Sequence, residues 1–443
     1  MNEQQTVGIQ EKPRFDRWIM LSIQHLFAMF GATILVPILV GISPAVALVS
    51  SGLGTLAYLL ITRGQIPAYL GSSFAFIMPM ITAISIGGIE GMLVGSFVAG
   101  IVYGIVALFI KGAGVRWLMN LLPPIVVGPV IMVIGLGLAP VALEMAMYLP
   151  ETIGSDNPIW DGKLFTIALI TLLITVVGSI FFRGFFGLIP ILIGIAGGYV
   201  ISLFAGIIDT STVREAAWFA VPEFYIPFVT FTPNFSWAII AIMVPVAVVT
   251  LSEHIGDQMV LSKVVGKNFV EKPGLHRSIF GDGVATIISS FLGGPPNTTY
   301  GENIGVVALT RVFSVFVIGG AATLAIIFGF VGKVSALIET IPTAVMGGVS
   351  ILLFGIIASS GLRMLIDNKI NLGEKRNLII SSVILVIGIG GAFIQVNEDV
   401  QIPGMALAAI IGVLLNLLLP GRTIIKKSDE MFKGIQVEVD KEK

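Results

Sequence analysis

The sequence predicts an all-α polytopic membrane protein, and three observations support that prediction. Hydrophobic residues make up 56% of the 443 residues and charged residues only 12%, whereas soluble domains carry about 25% charged residues. The mean hydropathy is +0.99. The apolar runs extend for about 20 residues, the length that a helix needs to cross a bilayer, and lack the alternation of an outer-membrane barrel. A soluble enzyme, a nucleic-acid-binding protein and a disordered chain are therefore excluded.

The chain also lacks the usual residues of a metal or redox site. Cys is absent and His occurs three times, at His25, His254 and His276. No disulfide, thiolate nucleophile or Cys-based metal site can form, and three scattered His residues predict no metal or other cofactor. A membrane-embedded enzyme is disfavoured because no nucleophile, base and metal occur together. The first apolar run has no short h-region with a cleavage site, so we expect a retained span.

Apolar length, with charges and Gly/Pro clusters as breaks, predicts fourteen spans. The first seven lie at 18–40, 43–62, 68–86, 90–110, 118–143, 163–182 and 187–208. The second seven lie at 236–255, 277–293, 298–310, 313–331, 335–361, 376–395 and 401–419. The predicted units are an N-terminal tail (1–17), a first repeat (18–208), an extracellular loop (209–235), a second repeat (236–419) and a C-terminal tail (420–443). Segments three and ten are the weakest because Gly, Ser, Thr and Pro shorten their apolar runs.

The charges support an even number of spans. Fourteen spans place both termini on one side of the membrane, together with all of the 25 Lys and Arg residues except Lys163, Arg214 and Lys333. The positive-inside rule assigns that side to the cytoplasm.

The two halves of the chain share three short patterns in the same order. The pairs are Leu122–Gly128 with Ile341–Gly347, Gly71–Ala75 with Asn297–Gly301, and Ile189-Pro190 with Ile402-Pro403. Because seven is odd, a repeat of seven spans must be inverted in the membrane. Inverted repeats with interrupted segments in matching positions are typical of secondary transporters. The alternative is a chance recurrence of Pro and Gly, which three matches in one order make less attractive.

The strongest candidate for chemistry is the cluster Ser252–Asp257, at the cytoplasmic end of the predicted eighth span. Charges inside spans are costly and are functional candidates by default. Glu253 and Asp257 share one helix face, whereas His254 points about 100° away. The alternative is a helix end with all three side chains solvated.

A second cluster, Asn297–Gly305, follows Pro295-Pro296 and contains two Gly residues, which interrupt regular helix. Non-helical backbone at membrane depth occurs only where it is buried in protein or lines a cavity. The following half-helix can then present its N-terminus to a ligand, and Glu302 lies at this turn. The alternative is an extracellular loop, although the matching break at Gly71–Ala75 argues against it.

Two polar pairs complete the set of candidates. Gln24 and His25 lie inside the first span, where a lone His is more often a helix–helix hydrogen-bond partner than a ligand. Thr310 and Arg311 end the short tenth span, and the Arg side chain is expected to reach the cytoplasmic interface.

These motifs resemble a known transporter family. The signature of the nucleobase–ascorbate (nucleobase:cation symporter-2) transporters is an acid or Gln, then Asn-x-Gly, four residues, Thr and a basic residue. The chain resembles it at Glu302, Asn303, Gly305, Thr310 and Arg311, and Gln24-His25 resembles the family's first-span pair. Three longer strings, Gln24–Thr33, Ala68–Phe76 and Pro296–Asn303, resemble the bacterial uracil permeases of this family. The resemblance covers nearly the whole chain.

The resemblance implies fourteen segments in two inverted repeats, divided into core and gate domains. Spans 1–4 and 8–11 would form the core, and spans 5–7 and 12–14 the gate. Segments three and ten would each begin as a short strand, and the two strands would pair at the membrane centre. The implied substrate-site residues are Glu253, Glu302, Phe74, Tyr300, Gly301 and Ala32. The signature and first-span residues named above would have structural roles.

One position departs from the family pattern, which has a His four residues after the acid of span eight. Asp257 stands there in this chain, so a His proton relay cannot be transferred to it. We expect Glu253, Asp257 and His254 to serve proton coupling, because a membrane carboxyl group can bind and release protons at cellular pH.

The predicted function is a proton-coupled uracil symporter in a bacterial cytoplasmic membrane. Uracil carries alternating ring N–H donors and C=O acceptors, which carboxylates and backbone amides complement, and aromatic faces can stack on its ring. The alternatives are a xanthine or urate permease of the same family, or an anion exchanger or channel on a similar fold. The expected partners are uracil, protons and membrane lipid, without nucleic acid. A homodimer is compatible with the resemblance.

Overall fold

The computed structural model describes residues 6–155, 157–395 and 401–422. The helices of the first half are α1 (Phe15–Val40), α2 (Pro44–Ile61), α3 (Ile77–Ala113), α4 (Arg116–Leu121), α5 (Pro124–Gly137), α6 (Ala139–Met147), α7 (Gly162–Phe181), α8 (Pro190–Phe204) and α9 (Ser211–Glu215). Those of the second half are α10 (Trp237–Val265), α11 (Leu275–Leu292), α12 (Gly301–Thr310), α13 (Val315–Gly329), α14 (Gly332–Glu339), α15 (Thr343–Asp367), α16 (Lys375–Ile389) and α17 (Gly404–Leu418). The strands are β1 (Leu70–Ser72), β2 (Asn297–Thr299), β3 (Phe393–Gln395) and β4 (Gln401–Pro403).

The helices make this chain a multi-pass membrane protein. Within the described residues, 7 helical stretches are long and apolar enough to cross a membrane, and an eighth arises if α13 and α14, bent by 81°, count as one span. One of these stretches, Phe74–Ala113, contains predicted span four and the part of predicted span three that follows β1, with a break where Gly88 adopts a φ of +66°. Others, such as α8 and α17, are apolar but shorter. The count of fourteen therefore stays a prediction.

The predicted boundaries were wrong at three places. Span eight does not end at 255, because α10 continues to Val265. Span twelve does not begin at 335, because α14 ends at Glu339 and α15 begins only after Pro342. A Pro has no backbone N–H and disfavours helix in the residue before it.

The third place is the boundary between the predicted N-terminal tail, 1–17, and span one. The described part of this tail packs against the chain after α12. The backbone N–H of Val7 donates to Arg311 at 3.1 Å, and that of Val315 donates to Ile9 at 3.0 Å. Helix α1 then begins at Phe15. The predicted C-terminal tail, 420–443, lies largely outside the described residues.

Two groups of helices pack more extensively within themselves than with each other. The first helix group comprises α1, α2, α3, α10, α11, α12 and α13, and the second comprises α5, α6, α7, α8, α15, α16 and α17. In the first group α3 packs on α10 and α11, and in the second α15 packs on α5, α6 and α7. The principal contacts between the groups are those of α1 with α8 and of α10 with α5 and α17.

The strands β1 and β2 pair antiparallel inside the first helix group, as expected for segments three and ten. Leu70 lies opposite Thr299, and Ser72 lies opposite Asn297. Both strands are fully buried. Side chains from neighbouring helices satisfy the remaining backbone groups. The N–H of Leu70 donates to Thr55 at 2.9 Å, and that of Asn297 donates to Thr286 at 3.2 Å.

The close crossing of α5 and α15 depends on small residues, as is common between membrane helices. A Cβ atom added at Gly361 would lie 2.7 Å from the backbone nitrogen of Met132, whereas one at Gly355, also on α15, meets nothing within 4 Å. Only the first of these positions therefore requires Gly for packing.

We expect Gly361→Ala to destabilise the protein by about 1–3 kcal/mol, because the added methyl overpacks a backbone contact. The control Gly355→Ala should be neutral or stabilising, since Ala exceeds Gly in helix propensity by roughly 1 kcal/mol. Thermal unfolding of the two purified variants in one detergent measures the difference. Equal Tm values would contradict the proposed packing of α5 on α15.

Candidate functional site

A cavity of about 380 Å³ lies between the two helix groups. The first group contributes residues of β2, α10 and α12, and the second contributes mainly residues of α15. The lining extends from Thr298 on β2 to Lys263 near the end of α10 and Arg363 near the end of α15. A volume of this size is within the range of small-molecule sites.

Four carboxyl groups line this cavity. Asp367 ends α15 and pairs with Arg363, and the other three belong to the first helix group. Glu253 and Asp257 lie one turn apart on α10, and Glu302 lies in the first turn of α12, where the helix dipole favours an acid. The Oε2 atom of Glu253 is buried and has no hydrogen-bond partner among the described residues. Because α10 continues to Val265, the acids do not lie at a solvated helix end. The site therefore offers acceptors that a ligand with N–H groups can use.

Two aromatic rings line the same cavity beside the strand pair. Phe74 follows β1 and packs edge-to-face on Phe354, with ring centroids 5.9 Å apart. Tyr300 follows β2, and its hydroxyl donates to the carbonyl of Ser72 at 3.2 Å. The Tyr300 ring packs on Gly71, where an added Cβ would lie 2.6 Å from the hydroxyl oxygen. The strand pair thus fixes the positions of both aromatic rings.

The other residues predicted for the substrate site divide between the cavity and the core. Gly301 lines the cavity at the start of α12. Ala32 does not line it, because this residue is 1% exposed within the core around α1. Helix α1 reaches the strands through the next residue, since the Ser72 hydroxyl donates to the carbonyl of Thr33 at 3.4 Å.

His254 points away from the cavity into the first helix group. Its Nδ1 atom lies 2.8 Å from Oδ2 of Asp282, and its Nε2 atom lies 2.9 Å from the hydroxyl of Ser278. Asp282 was not among the residues predicted from the sequence, although an acid inside the apolar run 277–293 was a signal for it. This buried pair joins α10 to α11.

A row of hydrogen-bonding groups connects this pair to the cavity. The hydroxyl of Thr299 on β2 lies 3.2 Å from Nδ1 of His254, and it donates to Oδ2 of Asp257 at 3.3 Å. A hydroxyl can accept one hydrogen bond while it donates another. Asp282, His254, Thr299 and Asp257 therefore form a row of neighbouring polar groups from the protein interior to the cavity, in which Nδ1 of His254, with one hydrogen at most, faces both Asp282 and Thr299.

The signature residues mainly hold elements together. His25 Nδ1 lies 3.3 Å from Oδ1 of Asn303, whose Nδ2 donates to the carbonyl of Pro67 at 3.2 Å. The prediction that His25 is a helix–helix hydrogen-bond partner is therefore confirmed. Gln24 is half-buried and does not line the cavity, whereas Gly305 does.

The last two residues of the signature, Thr310 and Arg311, lie at the C-terminal end of α12. The hydroxyl of Thr310 donates to Val306 at 2.8 Å and accepts from the N–H of Val312 at 3.2 Å. Arg311 is exposed and ends the helix in the left-handed conformation, with a φ of +54°. The carbonyl of Arg311 accepts a hydrogen bond from the backbone N–H of Val7, which holds the N-terminal segment against the end of α12.

Comparisons with known proteins agree on one family. The family model described as "Permease family" (Xan_ur_permease) matches residues 16–397. The chain is 64% identical over 415 residues to a protein named "Uracil permease" from Bacillus subtilis (strain 168), covering 94% of this chain and 95% of the relative. It is 46% identical over 433 residues to "Uracil permease" of Escherichia coli (strain K12), covering 98% of each.

Solved structures show the same fold at low identity. The transmembrane domain of the cyanobacterium bicarbonate transporter BicA aligns with a TM-score of 0.59 and 14% identity, covering 92% of this chain and 99% of that chain. The murine Slc26a9 anion transporter in the inward-facing state aligns with a TM-score of 0.67 and 12% identity, covering 92% and 69%. The fold is therefore a mostly helical, polytopic membrane transporter fold.

We expect Asp282→Ala to destabilise the protein by about 1–3 kcal/mol, because it removes the nearer acceptor of the buried His254 Nδ1 atom and leaves only the hydroxyl of Thr299 at 3.2 Å. The control Asp367→Ala removes an exposed ion pair with Arg363, with N and O atoms 3.5 Å apart, and exposed pairs contribute only about 0.2–1 kcal/mol. Thermal unfolding in detergent compares the two variants. An equal loss in both would show that the His254–Asp282 contact is not a structural bond.

Proposed function

The chain belongs to the Permease family of nucleobase–ascorbate transporters, and from that premise we propose that it imports uracil together with protons. The membrane is the cytoplasmic membrane of a bacterial cell, and both termini lie in the cytoplasm. Relatives named as uracil permeases, at 64% and 46% identity over nearly the whole chain, support uracil as the substrate.

The observation that carries this proposal is the combination of groups around one cavity. Two carboxyl groups, of Glu253 and Glu302, line the same small space as the rings of Phe74 and Tyr300. Uracil needs acceptors for its two ring N–H groups, donors for its two carbonyl oxygens, and an apolar surface for its flat faces. The carboxylates supply the acceptors, and the buried oxygen of Glu253 lacks a partner that uracil would provide.

The donors come from backbone at the junctions between strands and helices. The residues after β1 and β2, including Gly301, begin a helical turn with N–H groups that no helical carbonyl satisfies. Gly301 has no side chain to separate its backbone from the cavity. We assign the ring oxygens of uracil to backbone N–H groups near Phe74 and Gly301.

Transport proceeds by alternating access of a core domain against a gate domain. The cavity lies on the boundary between the two helix groups, so a relative movement of the groups would open or close it. The fourteen spans form two inverted repeats, and the antiparallel pairing of the matching strands β1 and β2 supports this arrangement. The strands remain with the first helix group, which we identify with the core domain.

Proton coupling uses the row from Asp282 to Asp257. Asp257 stands where the family pattern has a His, and it is joined through Thr299 to His254. A proton bound at Asp257 would reorganise this row and alter the charge beside Glu253. Thr299 lies on β2, so the row connects the protonation state of Asp257 to the contacts that β2 makes with α10 and α11.

Two other functions remain as alternatives that can be tested. A xanthine or urate permease would use the same family signature, and only competition between substrates separates it from the proposal. The solved structures of similar fold are described as bicarbonate and anion transporters, and Lys263 and Arg363 line the cavity here. Four carboxyl groups line it as well, and acids repel an anionic substrate.

We expect Glu302→Gln to weaken uracil binding at least several-fold. The amide replaces an acceptor by a donor opposite a ring N–H, a buried mismatch of about 1–3 kcal/mol. Titration calorimetry of the purified protein in detergent measures the Kd. The control Glu339→Gln lies at the end of α14, outside the cavity, and should bind as wild type does. Unchanged affinity in Glu302→Gln would remove this residue from the site.

We expect Asp257→Asn to retain uracil binding but to lose accumulation driven by a proton gradient, with a flatter pH dependence of uptake. Counterflow exchange, which needs no net proton movement, should continue in the same vesicles. Thr299→Val interrupts the row and should resemble Asp257→Asn, whereas Thr299→Ser keeps the hydroxyl and should resemble wild type. If gradient-driven uptake by Asp257→Asn matches that of wild type, the proton path does not include this residue.

A further inference from the structure

A second cavity, of about 910 Å³, lies on the outer surface of the first helix group, away from the substrate site. The N-terminal segment before α1 forms one side of it, and α2 and α13 form the other. Its apolar lining includes Trp18, Leu56, Leu60, Phe316 and Gly319. Leu60 is 80% exposed, so this groove opens to the surroundings of the protein.

The N-terminal segment is fixed in place along the groove. The hydroxyl of Ser314 donates to the carbonyl of Glu11 at 2.6 Å, and the side chain of Gln10 donates to the carbonyl of Gly64. Trp18 donates from its indole N–H to the carbonyl of Phe316 at 2.8 Å. The segment thus holds Lys12 over the Phe316 ring, with Nζ 4.6 Å from the ring centroid.

The groove has two positive charges and no negative one in its lining. Lys12 lies on the N-terminal side, and Arg63 lies at the end of α2 on the other. Within the part of the chain that the structure describes, neither cation forms an ion pair. Both side chains are exposed and are therefore available to an anionic group from outside the described chain.

The apolar part of the groove follows membrane-spanning helices away from these charges. Leu56 and Leu60 lie on α2, one turn apart, and Gly319 and Thr323 lie one turn apart on α13. Helix α2 is one of the stretches long enough to cross the membrane, and α13 begins the bent pair. The lining is therefore complementary to a molecule that carries an anion at one end and an apolar chain along the helices.

We propose that this groove binds one anionic phospholipid. The phosphate would lie between Lys12 and Arg63, and an acyl chain would lie along α2 and α13. Basic pockets between membrane helices bind anionic head groups in this way. Trp18 suits the same position, because indole rings favour the interface between lipid and water. A soluble anion would use the two cations but leave the apolar lining uncovered.

Native mass spectrometry of the full chain, stripped of lipid in detergent, tests this proposal. We expect one phosphatidylglycerol to bind at least roughly tenfold more tightly than phosphatidylcholine with the same acyl chains, as two basic residues near an anionic lipid would give. The double variant Lys12→Gln/Arg63→Gln should abolish that preference. Phosphatidylglycerol with brominated chains should quench the Trp18 fluorescence, measured as the difference between wild type and Trp18→Phe.

The matched control is Lys267→Gln/Lys369→Gln, which removes two exposed cations outside the groove. Lys369 has the same left-handed backbone as Arg63, with φ values of +52° and +58°. The control should keep the preference for phosphatidylglycerol. Equal binding of the two lipids by wild type would overturn the proposal, as would an equal loss in both double variants. Displacement by inorganic phosphate alone would also overturn it and indicate a simple anion site.

Discussion

A bilayer offers no water to backbone polar groups, so the non-helical residues of β1 and β2 must find their hydrogen-bond partners inside the protein. They find them in each other and in Thr55 and Thr286, which reach them from α2 and α11. This requirement fixes the first helix group around the strands. Two short segments, far apart in sequence, thereby become one rigid element in the interior.

The functional groups are arranged by that element. Each strand is followed by an aromatic residue and then by a helical turn, so Phe74, Tyr300 and Glu302 all come to the same cavity. Thr299 belongs to β2 and contacts both His254 and Asp257 on α10. In the proposed function, a change of protonation at Asp257 would therefore act on a residue of the strand pair itself. The second helix group completes the cavity from the opposite side and contributes no residue to the pair.

Hydropathy and backbone breaks were enough to predict most helices and the two interrupted segments, and the resemblance to the transporter family implied that short strands in these segments pair. They could not predict that α10 continues beyond 255, because Gln258 and Ser262 look like loop residues in a single sequence. In the structure Gln258 donates to Tyr58 at 3.1 Å, and Ser262 accepts from the N–H of Phe269 at 3.2 Å. The packing of Val7 and Ile9 on residues after α12 likewise could not be predicted, because it depends on contacts between residues far apart in sequence. The candidate acids were found because charges are rare in such a chain, yet the partner of His254 was missed because that rule was not applied to Asp282.

In the proposed function, this cavity binds uracil and proton binding drives its transport. Uptake of labelled uracil into proteoliposomes of the purified protein, with and without an inward proton gradient, tests both parts of the proposal. We expect accumulation that depends on the gradient, is abolished by unlabelled uracil and is unaffected by an excess of xanthine or chloride. Uptake that follows xanthine and ignores uracil, or uracil uptake that ignores the gradient, would contradict it.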